Sequence, residues 1–208
     1  MDNAMGNKES SLESRVKVEG STLVSTGFPE GTITVDVGLT YIGGEAFILY
    51  EAARCEIHLY AEADERGRVF RLYWFQFEGY LPSATKRSYD YSGDPHRTVI
   101  GGHKFYDSVR RYNMEAVRGG WGDDSDTMHV MRLLEREGCR LKGDVMRIRL
   151  VRLDDEKERE LMIVYTEALE RHGLSLSDFE GLCGDSKWRK AGEALRSRAL
   201  AGMKIEMK

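Results

Sequence analysis

Histidine is the side chain that most readily ligates a metal or moves a proton near neutral pH, and the chain carries five. His96 and His103 flank a short predicted strand, Thr98 to Ile100, and His96 shares a polar loop with Asp90, Tyr91 and Asp94. Imidazole nitrogens and a carboxylate oxygen suit zinc or iron, so His96, His103 and an Asp could form a mononuclear site. The spacing matches no dedicated metal signature, and the same groups serve equally as solvated loop residues. No metal is therefore assigned, and any cofactor is left unknown. His58 falls on the polar face of a strand, His129 in the first turns of a capped helix, and His172 beside Gly173 near a helix end; each has an adequate structural role there.

The strands supply a second set of candidates: Tyr41, Phe47, Tyr50, Tyr60, Tyr73, Trp74, Phe75, Phe77 and Tyr80. Such residues could line an apolar pocket inside a curved sheet, with tyrosine hydroxyls orienting a ligand. Tyr41, Tyr73, Phe75 and Phe77, together with His96 and His103, are the candidate ligand-binding residues. An ordinary packed core uses the same residue types. Alternation separates Tyr73 and Phe75 from Trp74 and Gln76, so these four cannot all line one pocket.

Other chemistry finds less support. No Gly-x-Ser-x-Gly elbow occurs, and the Gly101-Gly102 and Gly119-Gly120-Trp121-Gly122 segments lack the lysine of a P-loop and the dinucleotide fingerprint. A helix N-terminus following Gly122 could hold a small anion, but Asp123, Asp124 and Asp126 would repel it. Arg147 and Arg149 share a strand face, and Arg132, Arg136 and Arg140 lie on or after the preceding helix. Paired arginines can clamp a carboxylate or phosphate; the competing reading is a solvated face partnered by Glu135, Glu137, Glu158 and Glu160. Cys55, Cys139 and Cys183 have no metal-type spacing and read as free thiols in a reducing compartment.

The elements that must position these residues begin with the hairpin from Arg54 to Leu81. Cys55, Ile57, Leu59 and Ala61 face one way, Arg54, Glu56, His58, Tyr60 and Glu62 the other, and Ala63 to Gly67 closes the turn. Its second strand is apolar on both faces from Leu72 to Phe75, which predicts a strand covered from two directions. A strand is expected over Thr32 to Tyr41, a reversal at Gly43-Gly44, and a short return strand at Ala46 to Tyr50. A long loop fills 82–97, Phe105, Val109, Tyr112 and Ala116 recur at helical spacing, and a capped helix is predicted from about 125 to 137. A second hairpin covers Val145 to Glu167, and Lys187 to Ala201 forms a terminal helix with Trp188, Ala191, Leu195 and Ala199 on one face. The hairpins match at a constant offset: Ile57, Leu59, Leu72 and Trp74 against Ile148, Leu150, Ile163 and Tyr165. This is the pattern of a duplication, and equally of any two amphipathic hairpins with charged turns.

The 208 residues suffice for one substantial core, and a net charge of −4 suggests no polyanion partner such as nucleic acid. No apolar run approaches the roughly 18 residues of a membrane span, so no membrane partner and a cytoplasmic location are expected. The expectation is a disordered leader over residues 1–13 and a single α+β domain over 14–208. That domain would hold a strongly twisted, partly barrel-like antiparallel sheet of roughly six to eight strands with a few packed helices, in two similar hairpin-containing halves. The favoured function is non-catalytic binding of a small apolar or aromatic ligand. The alternatives are an enzyme using His96, His103, Asp90 and Tyr91, and an interaction or homo-oligomer module using a sheet edge or Trp188.

Overall fold

The computed structural model describes residues 12–94, 96–180 and 184–208. Cys183 and the expected leader lie outside the described residues, except at Leu12 and Glu13. The chain runs β1 (Val16–Glu19), β2 (Thr22–Ser25), β3 (Gly31–Val35), β4 (Thr40–Leu49), β5 (Ala53–Ala63), β6 (Val69–Tyr80), β7 (His96–Ile100) and β8 (His103–Asn113). Then come α1 (Met114–Arg118), α2 (Asp126–Arg136), β9 (Asp144–Leu153), β10 (Arg159–Ala168), α3 (Gly184–Ala201) and β11 (Met203–Met207). These form an α+β fold of two antiparallel sheets. The larger has the order β4-β5-β6-β10-β9-β8-β7, and the smaller β1-β2-β3-β11. The large sheet stays open at β4 and β7 and is not a closed barrel. Among the described residues no helix is long and apolar enough to cross a membrane.

Both hairpins form where the alternation places them, and each turn is fixed by an aspartate. Asp64 accepts the amides of Arg66 and Arg68, each at 2.9 Å, and Asp154 accepts those of Glu158 and Arg159 at 2.8 and 3.0 Å. The hairpins lie side by side, β6 against β10, in the middle of the sheet. The sequence match between them is one residue out of register with this geometry. Leu59 and Trp74 sit on the face toward α2, whereas Leu150 and Tyr165 sit on the opposite face.

The face bearing Tyr60, Tyr73, Phe75, Ile163 and Tyr165 is covered by the small sheet and α3. The face bearing Ile57, Leu59, Leu72, Trp74 and Val164 is covered by α2. β6 is thus buried on both faces, as its sequence requires, although β10 occupies the exact middle of the large sheet. Capping by Ser125, whose hydroxyl accepts the Met128 amide, starts α2 where the sequence places it.

Four expectations are corrected. The strand read from Thr32 to Tyr41 breaks at Asp36 to Leu39, leaving Val37 94 % exposed, and its halves join different sheets. Gly43 and Gly44 do not reverse the chain; they lie inside β4, which pairs with β5 along its length. The helical spacing from Phe105 to Ala116 belongs to β8 and the single turn of α1, because strand alternation there is hidden by a buried charge, Asp107, held by Arg196. The second sheet, finally, has no counterpart in the sequence reading.

Gly67 is held at φ +75°, and a Cβ there would run into the Gly138 carbonyl behind α2. We expect Gly67→Ala to cost about 2–4 kcal/mol in urea unfolding, against less than about 0.5 kcal/mol for Gly93→Ala, where the space is open. Equal effects at the two sites would refute this account of the turn.

Candidate functional site

The alternation of β5 puts Arg54, Glu56, His58 and Tyr60 on one face, and the small sheet closes over them, so a row that looks solvent-facing is enclosed. Glu56 and His58 are 3 % and 4 % exposed. A buried carboxylate must be supplied with donors. Glu56 accepts the Ser14 hydroxyl at 2.5 Å, the Arg15 and Val16 amides at 2.8 and 3.1 Å, and His58 Nε2 at 3.1 Å. Burial alone would raise this carboxyl, but the hydrogen bonds from His58, Ser14 and Arg15 win and hold it at about 2.

An ionised Glu56 can only accept, so His58 carries a hydrogen on Nε2, and in the neutral ring Nδ1 is left to accept. It does so from Tyr41 Oη at 3.0 Å. Tyr41 reaches it from the edge strand β4, re-aimed by a bulge between Tyr41 and Gly43. Burial, and then the Glu56 charge, push the Tyr41 phenol up to about 12, so it stays protonated. Gly44 sits over the pair, where a Cβ would lie 2.7 Å from both Tyr41 Oη and His58 Nδ1. The glycine is what lets the two side chains meet and leaves them open to a cleft of about 300 Å3, walled by Leu12, Val16, Val18 and Ala46. The arrangement can present a hydrogen-bonded hydroxyl, backed by an imidazole and a carboxylate, to a molecule in a cleft whose other walls mix apolar residues with Ser14 and Glu45.

The other candidate residues are scattered. Tyr73 and Phe75 are 1 % and 0 % exposed, stacked at 5.5 Å on each other, with Tyr73 donating to the Ala199 carbonyl at 2.6 Å. They are packed core. Phe77 edges a different cleft, beside Arg15. His96 and His103 share a face of the β7–β8 hairpin but sit opposite Asp107 and Ile100 respectively, four rungs or about 13 Å apart. Among the described residues no group of three His, Cys, Asp or Glu side chains is placed to hold a metal. Asp90 is exposed and caps the Ser92 amide. Trp188 packs edge-on to Phe179 at 5.4 Å under Arg111.

Tyr91 belongs to a second polar cluster. Glu78 and Glu160 face each other across β6 and β10, accepting the hydroxyls of Tyr89 and Tyr91 at 2.7 and 2.8 Å. Burial raises both carboxyls, Glu160 further through the charge of Glu78 beside it. Arg149 binds Asp94 at 3.0 Å and lies over the Tyr91 ring, so it fastens the 81–94 segment rather than a free anion. Arg147 lies over Tyr112 instead. Cys55, beside Glu78, is a buried free thiol pushed up by burial, and Cys139 is likewise buried.

Sequence reasoning finds Tyr41 but misses its partners. Glu56 and His58 alternate correctly, yet nothing local shows that their face is covered. The available signal was Gly44, since a glycine inside a strand marks a close approach. Comparison with protein-family models, curated proteins and solved structures gives no match.

Because Glu56 titrates at about 2 when folded and in the ordinary carboxylate range when unfolded, the unfolded chain binds more protons between those values. Its stabilisation is therefore complete above the ordinary range and is lost as pH falls toward 2. We expect Glu56→Gln to cost about 2–3 kcal/mol in urea unfolding at pH 7, with the difference from wild type shrinking from pH ~5 downward. A difference independent of pH would show that Glu56 is not the ionised hub.

Proposed function

We propose that the protein binds a small, mainly apolar molecule bearing one hydroxyl or N–H group in the cleft beside Tyr41. The observation that carries this reading is the series Glu56–His58–Tyr41, with contacts of 3.1 and 3.0 Å, whose hydrogen-bond directions follow from an ionised Glu56 and a neutral imidazole. His58 donates to Glu56 and Tyr41 donates to His58, so the Tyr41 oxygen meets the cleft with its proton already committed and its lone pairs unspent. A donor on the ligand completes the series, and each bond polarises the next. Leu12, Val16, Val18 and Ala46 take the apolar part of the molecule, as in most small-ligand sites.

A carboxylate-oriented imidazole beside a hydroxyl is also how hydroxyls are activated for catalysis, which makes an enzyme acting through Tyr41 the second reading. The raised Tyr41 phenol supports binding over nucleophilic attack, because a nucleophile needs its proton weakened.

A matched pair of probes tests the proposal. In ligand titrations followed by NMR, 4-methylphenol should bind at least about tenfold more tightly than 4-methylanisole, which lacks the donor, and Tyr41→Phe should erase the preference. Equal binding of both probes, or a preference that survives in Tyr41→Phe, would overturn it.

A further inference from the structure

A second cleft, of about 130 Å3, lies beyond the 12–16 segment and shares Val16 and Glu56 with the first. Arg15, Arg54 and Arg159 line it from three separate stretches of chain. The sheet register explains why two of them converge. Gly79 on β6 pairs with Arg54 on β5 and with Arg159 on β10, so both arginines rise on the same face from either side of a residue with no side chain. The missing side chain makes room for the Arg159 stem, whose Cγ would lie 3.1 Å from a Cβ on Gly79. Phe28 closes one wall, with Arg159 over its ring at 5.2 Å, and Tyr80 lies at another.

Three guanidinium groups and two carboxyl groups, Glu56 and Glu78, share the lining, and the carboxyls' hydrogen-bonding capacity is largely taken. Arg159 gives its Nε to Asp154 at 2.7 Å and keeps its remaining donors. Arg54 donates to the Glu13 carbonyl, which carries no net charge, and among the described residues its buried Nε has no partner. Glu56, on the same wall, is already occupied by Ser14, two backbone amides and His58. Glu78 bonds Tyr89 and Gln76. What remains is a cationic fork with an aromatic side, the geometry that takes planar anions in bidentate fashion.

We propose that this cleft binds the carboxylate or phosphate group of a small aromatic molecule, clamped between Arg54 and Arg159 over Gly79, with Arg15 closing from the pinned segment. The site is separate from the Tyr41 cleft and does not depend on its ligand. Benzoate, phenyl phosphate and inorganic phosphate, titrated into the full chain at low ionic strength and followed by amide NMR shifts, are the probes. At least one of the aromatic anions should bind saturably, with shifts centred on Gly79, and the tighter of the two identifies the anionic group. Arg15→Gln and Arg159→Gln, both at exposed positions, should each weaken binding about tenfold, and Arg54→Lys, which keeps the charge but loses the fork, should weaken it as well. Tyr41→Phe should change nothing. The proposal fails if none of the three probes saturates, if inorganic phosphate alone binds, or if the Arg15 and Arg159 variants bind as tightly as wild type.

Discussion

The Glu56 carboxylate joins the large sheet to the segment that opens the small one, beside a second polar link from the Tyr60 hydroxyl to the Gly20 carbonyl at 3.0 Å. Glu56 sits on the large sheet, yet three of its four donors, Ser14 and the Arg15 and Val16 amides, belong to the stretch that opens β1 of the small sheet. Apolar packing between the layers supplies most of the association, as it must in any layered fold. Packing alone leaves the small sheet free to slide, because burial is non-directional. A buried anion with several fixed donors is directional, and it sets where β1 lies across β5.

That placement has two consequences. Segment 12–16, once pinned, divides the surface at one corner of the sheet into two clefts, one beside Tyr41 and one over Gly79. Glu56 also fixes the hydrogen on His58, and through it the direction of the Tyr41 hydroxyl. Structure and chemistry here are the same set of bonds. Glycines in strands do the rest: Gly44 allows the phenol and imidazole to meet, and Gly79 makes room for the Arg159 stem beside it. Both would be poor choices for strand stability alone, which is the cost of open space in a packed sheet.

Much of the fold was legible because it rests on local periodicity. The two hairpins and α2 carry clean alternation, aspartate-fixed turns and a capping serine, so sequence and tertiary structure agree there. Several of the failures share a cause: a residue whose chemistry runs against its burial. Val37 extends an apolar alternation but is exposed in the crossing between sheets. Asp107 breaks the alternation of β8 but is wholly buried against Arg196, which made a strand resemble a helix. Glu56 and His58 were misjudged for the same reason, since a polar face covered by another sheet is indistinguishable in sequence from one facing water. Partners distant along the chain decide those cases, and their positions are not encoded in any local pattern.

The claim most open to direct test is that Glu56 orients His58 and that His58 in turn receives the Tyr41 proton. Long-range nitrogen–proton correlation NMR on ring-labelled protein, at a pH where imidazole is neutral, reports which nitrogen of His58 bears hydrogen. The account predicts the Nε2–H tautomer, with that proton shielded from exchange by the burial of His58, which is 4 % exposed. An Nδ1–H tautomer, or a ring averaging rapidly between both, would contradict it.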